Sequence, residues 1–143
     1  MQVKDLMEGS VVTVAPDETA AEAARLLARH NVGSLPVCGA DGGLRGVITD
    51  RDIVLRCVAI EEDPTKTEVQ KIMTRNCAVI APQADAREAA RLMAAKQVRR
   101  LPVVERDKVV GMVSLGDLSL SHGCDMEIAA ALSEISEANH EVE

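Results

Sequence analysis

The chain has 143 residues, of which 47% are hydrophobic and 27% charged, and its formal net charge at pH 7 is −7. That size and balance suit one globular domain, or two small ones sharing a core, and exclude disorder over most of the length. Phe, Tyr and Trp are absent, so the core has to be aliphatic; with no ring to stack a base and an acidic balance that opposes polyphosphate, nucleic acid is excluded as an expected partner.

One repeat organises the chain. Val3–Val37 slides by 66 places onto Val69–Val103 with 15 of 35 positions identical and no gap, where roughly three are expected by chance. After one residue is dropped in a turn, Gly46-Val47-Ile48-Thr49-Asp50-Arg51-Asp52-Ile53 falls on Gly111-Met112-Val113-Ser114-Leu115-Gly116-Asp117-Leu118.

In chain order, Val11 to Ala15 is a short apolar run stopped by Pro16, which suits a strand. Thr19-Ala20-Ala21-Glu22 has the form of a capping box, and Ala23, Leu26, Leu27 and His30 recur behind it at helical spacing. Leu35 to Cys38 and Leu44 to Thr49 flank Gly39-Ala40-Asp41-Gly42-Gly43, turn chemistry between two strands. Asp50 to Val58 is then a short closing helix with Ile53, Val54 and Cys57 on one side, and Glu61-Glu62-Asp63-Pro64 is a surface connection. The second half repeats the order. Ala78 to Ala81 is the strand, Asp85 opens a helix with Ala89, Leu92 and Met93 inside, Glu105-Arg106-Asp107-Lys108 is the hairpin turn, and Leu115 to Ser121 closes. A further helix near Asp125 to Asn139 carries the stripe Ile128, Leu132 and Ile135, to be packed on its own chain or donated to a partner subunit.

No apolar stretch approaches the roughly 18 residues that span a bilayer, and Met1-Gln2-Val3-Lys4-Asp5 lacks the layout of a secretory signal. The expected location is the cytoplasm, with no membrane partner. Cys38, Cys57, Cys77 and Cys124 form no CxxC pair, so they are expected as small buried or half-buried thiols. His122-Gly123-Cys124 offers two metal ligands, with His30 or Cys38 as further donors. A structural zinc site needs four converging ligands, so no metal is expected.

Strand, helix, strand, strand, helix, twice over, with Leu-Pro-Val before each hairpin and Gly-h-h-[Ser/Thr]-x-x-Asp-h after it, resembles the CBS-domain pair, or Bateman module, over residues 3 to 121. Met7 and Met73 match the short lead-in helix such repeats usually have, and the nearest likenesses are small stand-alone bacterial CBS-pair proteins, some linked to stress or hypoxic responses. The implied fold class is α/β (α+β). Each of two tandem CBS motifs is a small sheet with two helices, the motifs are related by a pseudo-twofold axis, and a C-terminal helix follows. The corresponding division is 1–62 and 63–124 for the motifs and 125–143 for the last helix and tail, all in one module. The resemblance implies an adenosine-containing ligand such as AMP, ADP, ATP or S-adenosylmethionine in clefts between the motifs, with no other cofactor required. It also implies a homodimer in which the closing helices, around Ile53 and Leu118, lie at the contact.

The residues make chemical sense of such a ligand. An ionised carboxylate accepts from both hydroxyls of a ribose, so Asp52 and Asp117 are the expected ribose ligands, although aspartate at such a position also caps helices. Thr49 and Ser114 offer hydroxyls to ribose or phosphate, and the helix amides beyond them favour negative charge. Arg99 and Arg100 are the phosphate ligands of the second repeat, since a guanidinium forks two bonds to phosphate oxygens. The first repeat has Gly33 and Ser34 there, with Arg51 as the compensating cation. Val12, Thr13 and Val14, with Ala78, Val79 and Ile80, resemble the strand along the adenine, where aliphatic walls and backbone groups read a base without a ring.

No Ser-His-Asp layout, P-loop or HExxH occurs, and His30, His122 and His140 lie far apart, so the expectation is a non-enzyme. The favoured reading is a regulatory sensor of adenine nucleotides. The alternatives are an unliganded dimeric interaction scaffold, or a stress-response thiol or metal sensor built on Cys38, Cys57, Cys77, Cys124 and His122.

Overall fold

The computed structural model describes residues 1–142, the side chains at 122 and 137–142 excepted; the side chains of His122 and His140 therefore lie outside the described residues. The chain divides into two compact units. The first-repeat unit is Val12–Cys77 with Asp107–Val109, and the second-repeat unit is Met1–Val11, Ala78–Arg106 and Val110 onward.

In the first-repeat unit, helix α1 (Ala20–His30) starts where the Thr19 hydroxyl accepts from the Glu22 amide at 3.2 Å and stops at Asn31, whose left-handed backbone (φ 52°) ends the turn. Strand β1 (Ser34–Cys38) pairs antiparallel with β2 (Leu44–Thr49), Ser34 opposite Thr49. Helix α2 (Asp50–Ile53) widens into π-helical turns over Val54–Val58, and α3 (Val69–Ile72) completes the unit. Val14, Ala23, Leu27, Leu35, Val37, Ile48, Ile53, Cys57 and Val69 are among its core residues. Burying a side chain such as Ile48, which is fully enclosed, contributes about 1.5–3 kcal/mol.

In the second-repeat unit a 3-10 turn (Val3–Asp5) is joined by helix α4 (Ala86–Lys96), strand β3 (Arg100–Glu105), strand β4 (Lys108–Ser114) from Val110 onward, helix α5 (Leu115–Leu118) and the last helix, α6 (Asp125–Val142). The two residues between β3 and β4, Arg106 and Asp107, both have positive φ (53° and 64°), the requirement of a tight hairpin turn. Helix α6 packs on α4 of its own chain. Ala131 and Ile135 are buried, Ile128 packs against the core, and Arg91 reaches Glu127 at 3.6 Å. Leu132, expected on the inner stripe, is 46% exposed, and Ala131 takes its place.

Three further expectations are corrected. Val11–Ala15 and Ala78–Ala81 are not strands but single-residue bridges, Val14 to Val37 and Ile80 to Val103, both parallel. The Val14 amide donates to the Pro36 carbonyl and the Cys38 amide to that of Val14. The next bond on one side would need an N–H from Pro36 and on the other from Pro16, and neither has one. Pro102 and Pro82 limit Ile80 in the same way. Second, the π turn after Ile53 rotates Val54 outward, to 53% exposure, while Ile53 and Cys57 stay buried. Third, His30 is exposed and α5 stops at Leu118, short of Ser121.

The segments ahead of each repeat are exchanged. The Val3 and Lys4 amides donate to the carbonyls of Ala84 and Pro82, and those of Val69 and Gln70 to Glu18 and Pro16. Each lead-in then runs along the far strand of the hairpin in its unit, Glu8 bridging to Met112 and Thr74 to Val47. A glycine permits each approach. A Cβ on Gly46 would stand 2.6 Å from the Thr74 carbonyl oxygen, and one on Gly111 2.6 Å from the Met7 sulfur and 3.0 Å from the Glu8 oxygen.

Candidate functional site

The end of each hairpin builds the same local device. Thr49 closes β2 and caps α2: its Oγ1 accepts from the Asp52 amide at 2.9 Å, and its own amide donates to Asp52 Oδ2 at 3.0 Å. Ser114 and Asp117 repeat it, with 3.0 Å and 2.9 Å. Both are capping boxes. The capping alternative weighed for the aspartates is thus fulfilled in both repeats, and it uses one carboxylate oxygen of each.

The other oxygen differs. Asp52 is 7% exposed. The Thr74 hydroxyl donates to its Oδ1 and Oδ2 at 3.2 and 3.3 Å, and Arg56 Nη1 stands 3.8 Å from Oδ1 while donating to the carbonyls of Ile72 and Met73 at 3.1 and 3.3 Å. Asp117 is half-buried, and among the described residues its Oδ1 accepts no hydrogen bond. Glu8 occupies the repeat position of Thr74 and Ser121 that of Arg56.

Arg99 and Arg100 lead into β3, both exposed and neither ion-paired among the described residues. The Leu115 amide donates to the Arg99 carbonyl at 2.8 Å, so this cationic pair begins beside the Ser114–Asp117 turn. In the first repeat the same bond runs from Asp50 to Gly33 at 3.0 Å, and the Asp50 carboxylate lies over Gly33, 3.6 Å from a Cβ built there. Arg51 is exposed, and its amide donates to Asp50 Oδ1. Ser34 Oγ, at the repeat position of Arg100, is buried with no hydrogen-bond partner among the described residues.

The proline-limited bridges leave a consequence beside these turns. Val12 and Thr13 make no backbone hydrogen bond among the described residues, nor do Ala78 and Val79, while Val14 and Ile80 are held in place by theirs. Thr13 and Val79 are exposed and Val12 and Ala78 half-buried, so these polar groups border apolar side chains. Val12–Val14, Thr49, Arg51 and Asp52 belong to the first-repeat unit; Ala78–Ile80, Arg99, Arg100, Ser114 and Asp117 belong to the second.

All four cysteines are free thiols, Cys57 and Cys124 buried and Cys38 and Cys77 half-buried. Burial pushes the thiols of Cys38 and Cys77 above the usual range. Among the described residues no three His, Cys, Asp or Glu side chains come together as metal ligands, and no helix is long and apolar enough to cross a membrane. Sequence reasoning missed both Thr74, whose contact with Asp52 is made by the fold and belongs to no motif, and Arg56, which the i,i+4 spacing from Asp52 could have signalled.

Residues 3–58 and 69–120 match the family described as CBS domain. A CBS domain-containing protein of Bacillus subtilis, YhcV, is 42% identical over 137 residues, covering 96% of either chain. The crystal structure of Hypoxic Response Protein I with two coordinated zinc ions is 32% identical with a TM-score of 0.79, over 85% of this chain and 98% of that one. The CBS domain pair of protein MJ0100, solved with 5-methylthioadenosine and S-adenosyl-L-methionine, is 30% identical with a TM-score of 0.75, over 84% and 98%. Duplicated hairpins, duplicated capping boxes and these likenesses agree: the chain belongs to the CBS domain family and is a tandem CBS-domain pair.

Proposed function

We propose that this pair is a non-catalytic sensor of an adenosine-containing ligand, AMP, ADP, ATP or a relative, and that the ligand biases the arrangement of the protein that carries it. The observation that carries the reading is that, among the described residues, Oδ1 of Asp117 accepts no hydrogen bond, in the same unit as two guanidinium groups without an ion pair and the unpaired backbone groups of Ala78 and Val79. A ribose diol suits the carboxylate and the Ser114 hydroxyl, phosphate suits Arg99 and Arg100, and a purine edge suits free amides and carbonyls beside aliphatic walls. That a similar CBS pair holds 5-methylthioadenosine and S-adenosyl-L-methionine supports the same ligand class here. We place the protein in the cytoplasm, where its four free thiols stay reduced.

A thermal-shift screen of the full chain against AMP, ADP, ATP, S-adenosylmethionine and NAD tests this. A ligand that binds only the folded state adds about 2.7 kcal/mol at 100 times its Kd, so at least one adenosine compound is expected to raise Tm clearly and GTP is not. No shift with any of them at millimolar concentration defeats the reading.

We also propose a homodimer, supported by exposed apolar groups on and beyond the π turn of the first-repeat unit: Val54, Leu55, Val58 and Ile60, the last 60% exposed. Ile53 and Leu118, expected at the contact, are instead 8% and 0% exposed within their own cores.

A further inference from the structure

Around their shared capping box the two repeats carry opposite chemistry. In the second, the aspartate keeps one oxygen open among the described residues, and the chain leading into the hairpin brings two arginines. In the first, the Thr74 hydroxyl and the Arg56 guanidinium occupy the carboxylate of Asp52. Gly33 and Ser34 stand where the arginines would be, and the Asp50 carboxylate lies over Gly33. Arg51 is the one cation of that set, flanked in the chain by Asp50 and Asp52. A phosphate brought there would meet the Asp50 carboxylate beside the single guanidinium of Arg51, where the second repeat offers two guanidinium groups, and a ribose would have to displace hydrogen bonds already made.

We infer that each chain has one working nucleotide site, built on Asp117, Ser114, Arg99 and Arg100, and that Asp52 is a positioning residue tying β2 and α2 to the segment after α3. This rests on the adenosine-ligand reading and says which copy of the pattern is used and that the ligand carries an anionic phosphate there.

Titration calorimetry of the full chain with AMP, and with uncharged adenosine, tests it. The expected result is one AMP per chain, with adenosine at least about tenfold weaker because bonds to the charged group are lost. Asp117→Asn and the double variant Arg99→Ala, Arg100→Ala are each expected to weaken AMP by about tenfold or more. Only the arginine variant should bring AMP and adenosine to similar affinity. Asp52→Asn should lower Tm yet leave the AMP Kd within about twofold, a small change on the scale on which tenfold is 1.4 kcal/mol. Should Asp52→Asn not fold, Thr74→Val removes the same donor more gently and is expected to behave alike. Two AMP per chain, or an equal loss of affinity in the Asp52 or Thr74 variant and the Asp117 variant, overturns the one-site inference while leaving the ligand reading intact. No binding of AMP or adenosine by the unaltered chain, with no shift in the thermal screen, removes both.

Discussion

Asp52 and Asp117 hold the same place in the same capping box and differ in what else reaches them, Thr74 and Arg56 in one case and nothing from the described residues in the other. The boxes themselves were legible, because Thr49 with Asp52 and Ser114 with Asp117 have the spacing that local hydrogen bonds require. Of their difference, the Arg56 part could be read from its i,i+4 spacing to Asp52, but the Thr74 part could not, since Thr74 lies 22 residues from Asp52 and meets it only through the fold. The cysteines bear on the thiol-sensor alternative at this same scale. Burial raises the pKa of Cys38 and Cys77, so less thiolate is present at neutral pH, and the thiolate is the reactive form. Iodoacetamide at pH 7.5 is expected to label these two more slowly than free cysteine, with the rate climbing as pH passes the free thiol value of about 8.5. Cys57 and Cys124, both buried, should label only on unfolding. Mass spectrometry of timed samples checks this, and rapid labelling of Cys38 or Cys77 at pH 7.5 would restore the redox reading. The sign for stability is the same. A folded state that favours the protonated thiol gains from it below the unfolded pKa and loses that gain as pH rises through the folded one.

At the scale of elements, the helices and hairpins follow local signals: Thr19 and Asp85 open α1 and α4, and the Gly-rich run from Gly39 to Gly43 joins β1 to β2. The expected flanking strands shrink to single bridges because proline limits them at both ends, Pro16 and Pro82 at the close of the segments themselves. Pro36 and Pro102, inside the neighbouring strands, remove the donor at the other end. The π turn was hidden because a helical apolar pattern does not distinguish wider turns from regular ones until Val54 is seen outside. The glycine contacts separate two lookalike positions. At Gly46 a new methyl meets a backbone oxygen at 2.6 Å, which cannot step aside, whereas at Gly111 the atom at that distance is in the flexible Met7 side chain and the backbone oxygen of Glu8 stands back at 3.0 Å. Gly46→Ala is expected to destabilise by about 2–3 kcal/mol and Gly111→Ala by about 1 kcal/mol. Urea unfolding of both variants measures the gap; equal losses would discard the close-approach account.

For the whole molecule, the duplication of the fold was legible from 15 matching positions, and the exchange of lead-ins was not, because identity between repeats does not say which copy a segment packs on. The proposed homodimer is argued at this scale. Val58, 57% exposed, contributes little to its own core, so Val58→Asp should leave the unfolding free energy of the monomer within roughly 1 kcal/mol. Light scattering is expected to give twice the chain mass for the unaltered protein and a shift towards the single mass for the variant. A single mass for the unaltered protein at high concentration would end the proposal.

Met1–Val11 belongs to the unit formed mainly from Ala78 onward, whereas all but three residues of the other unit are contiguous. During synthesis, Val12–Cys77 can therefore condense as soon as it leaves the ribosome. The first eleven residues must wait, their Val3 and Lys4 amides unmatched, until Pro82 and Ala84 have been made. A gene cut midway between the repeats would strand that opening segment on the wrong half-product.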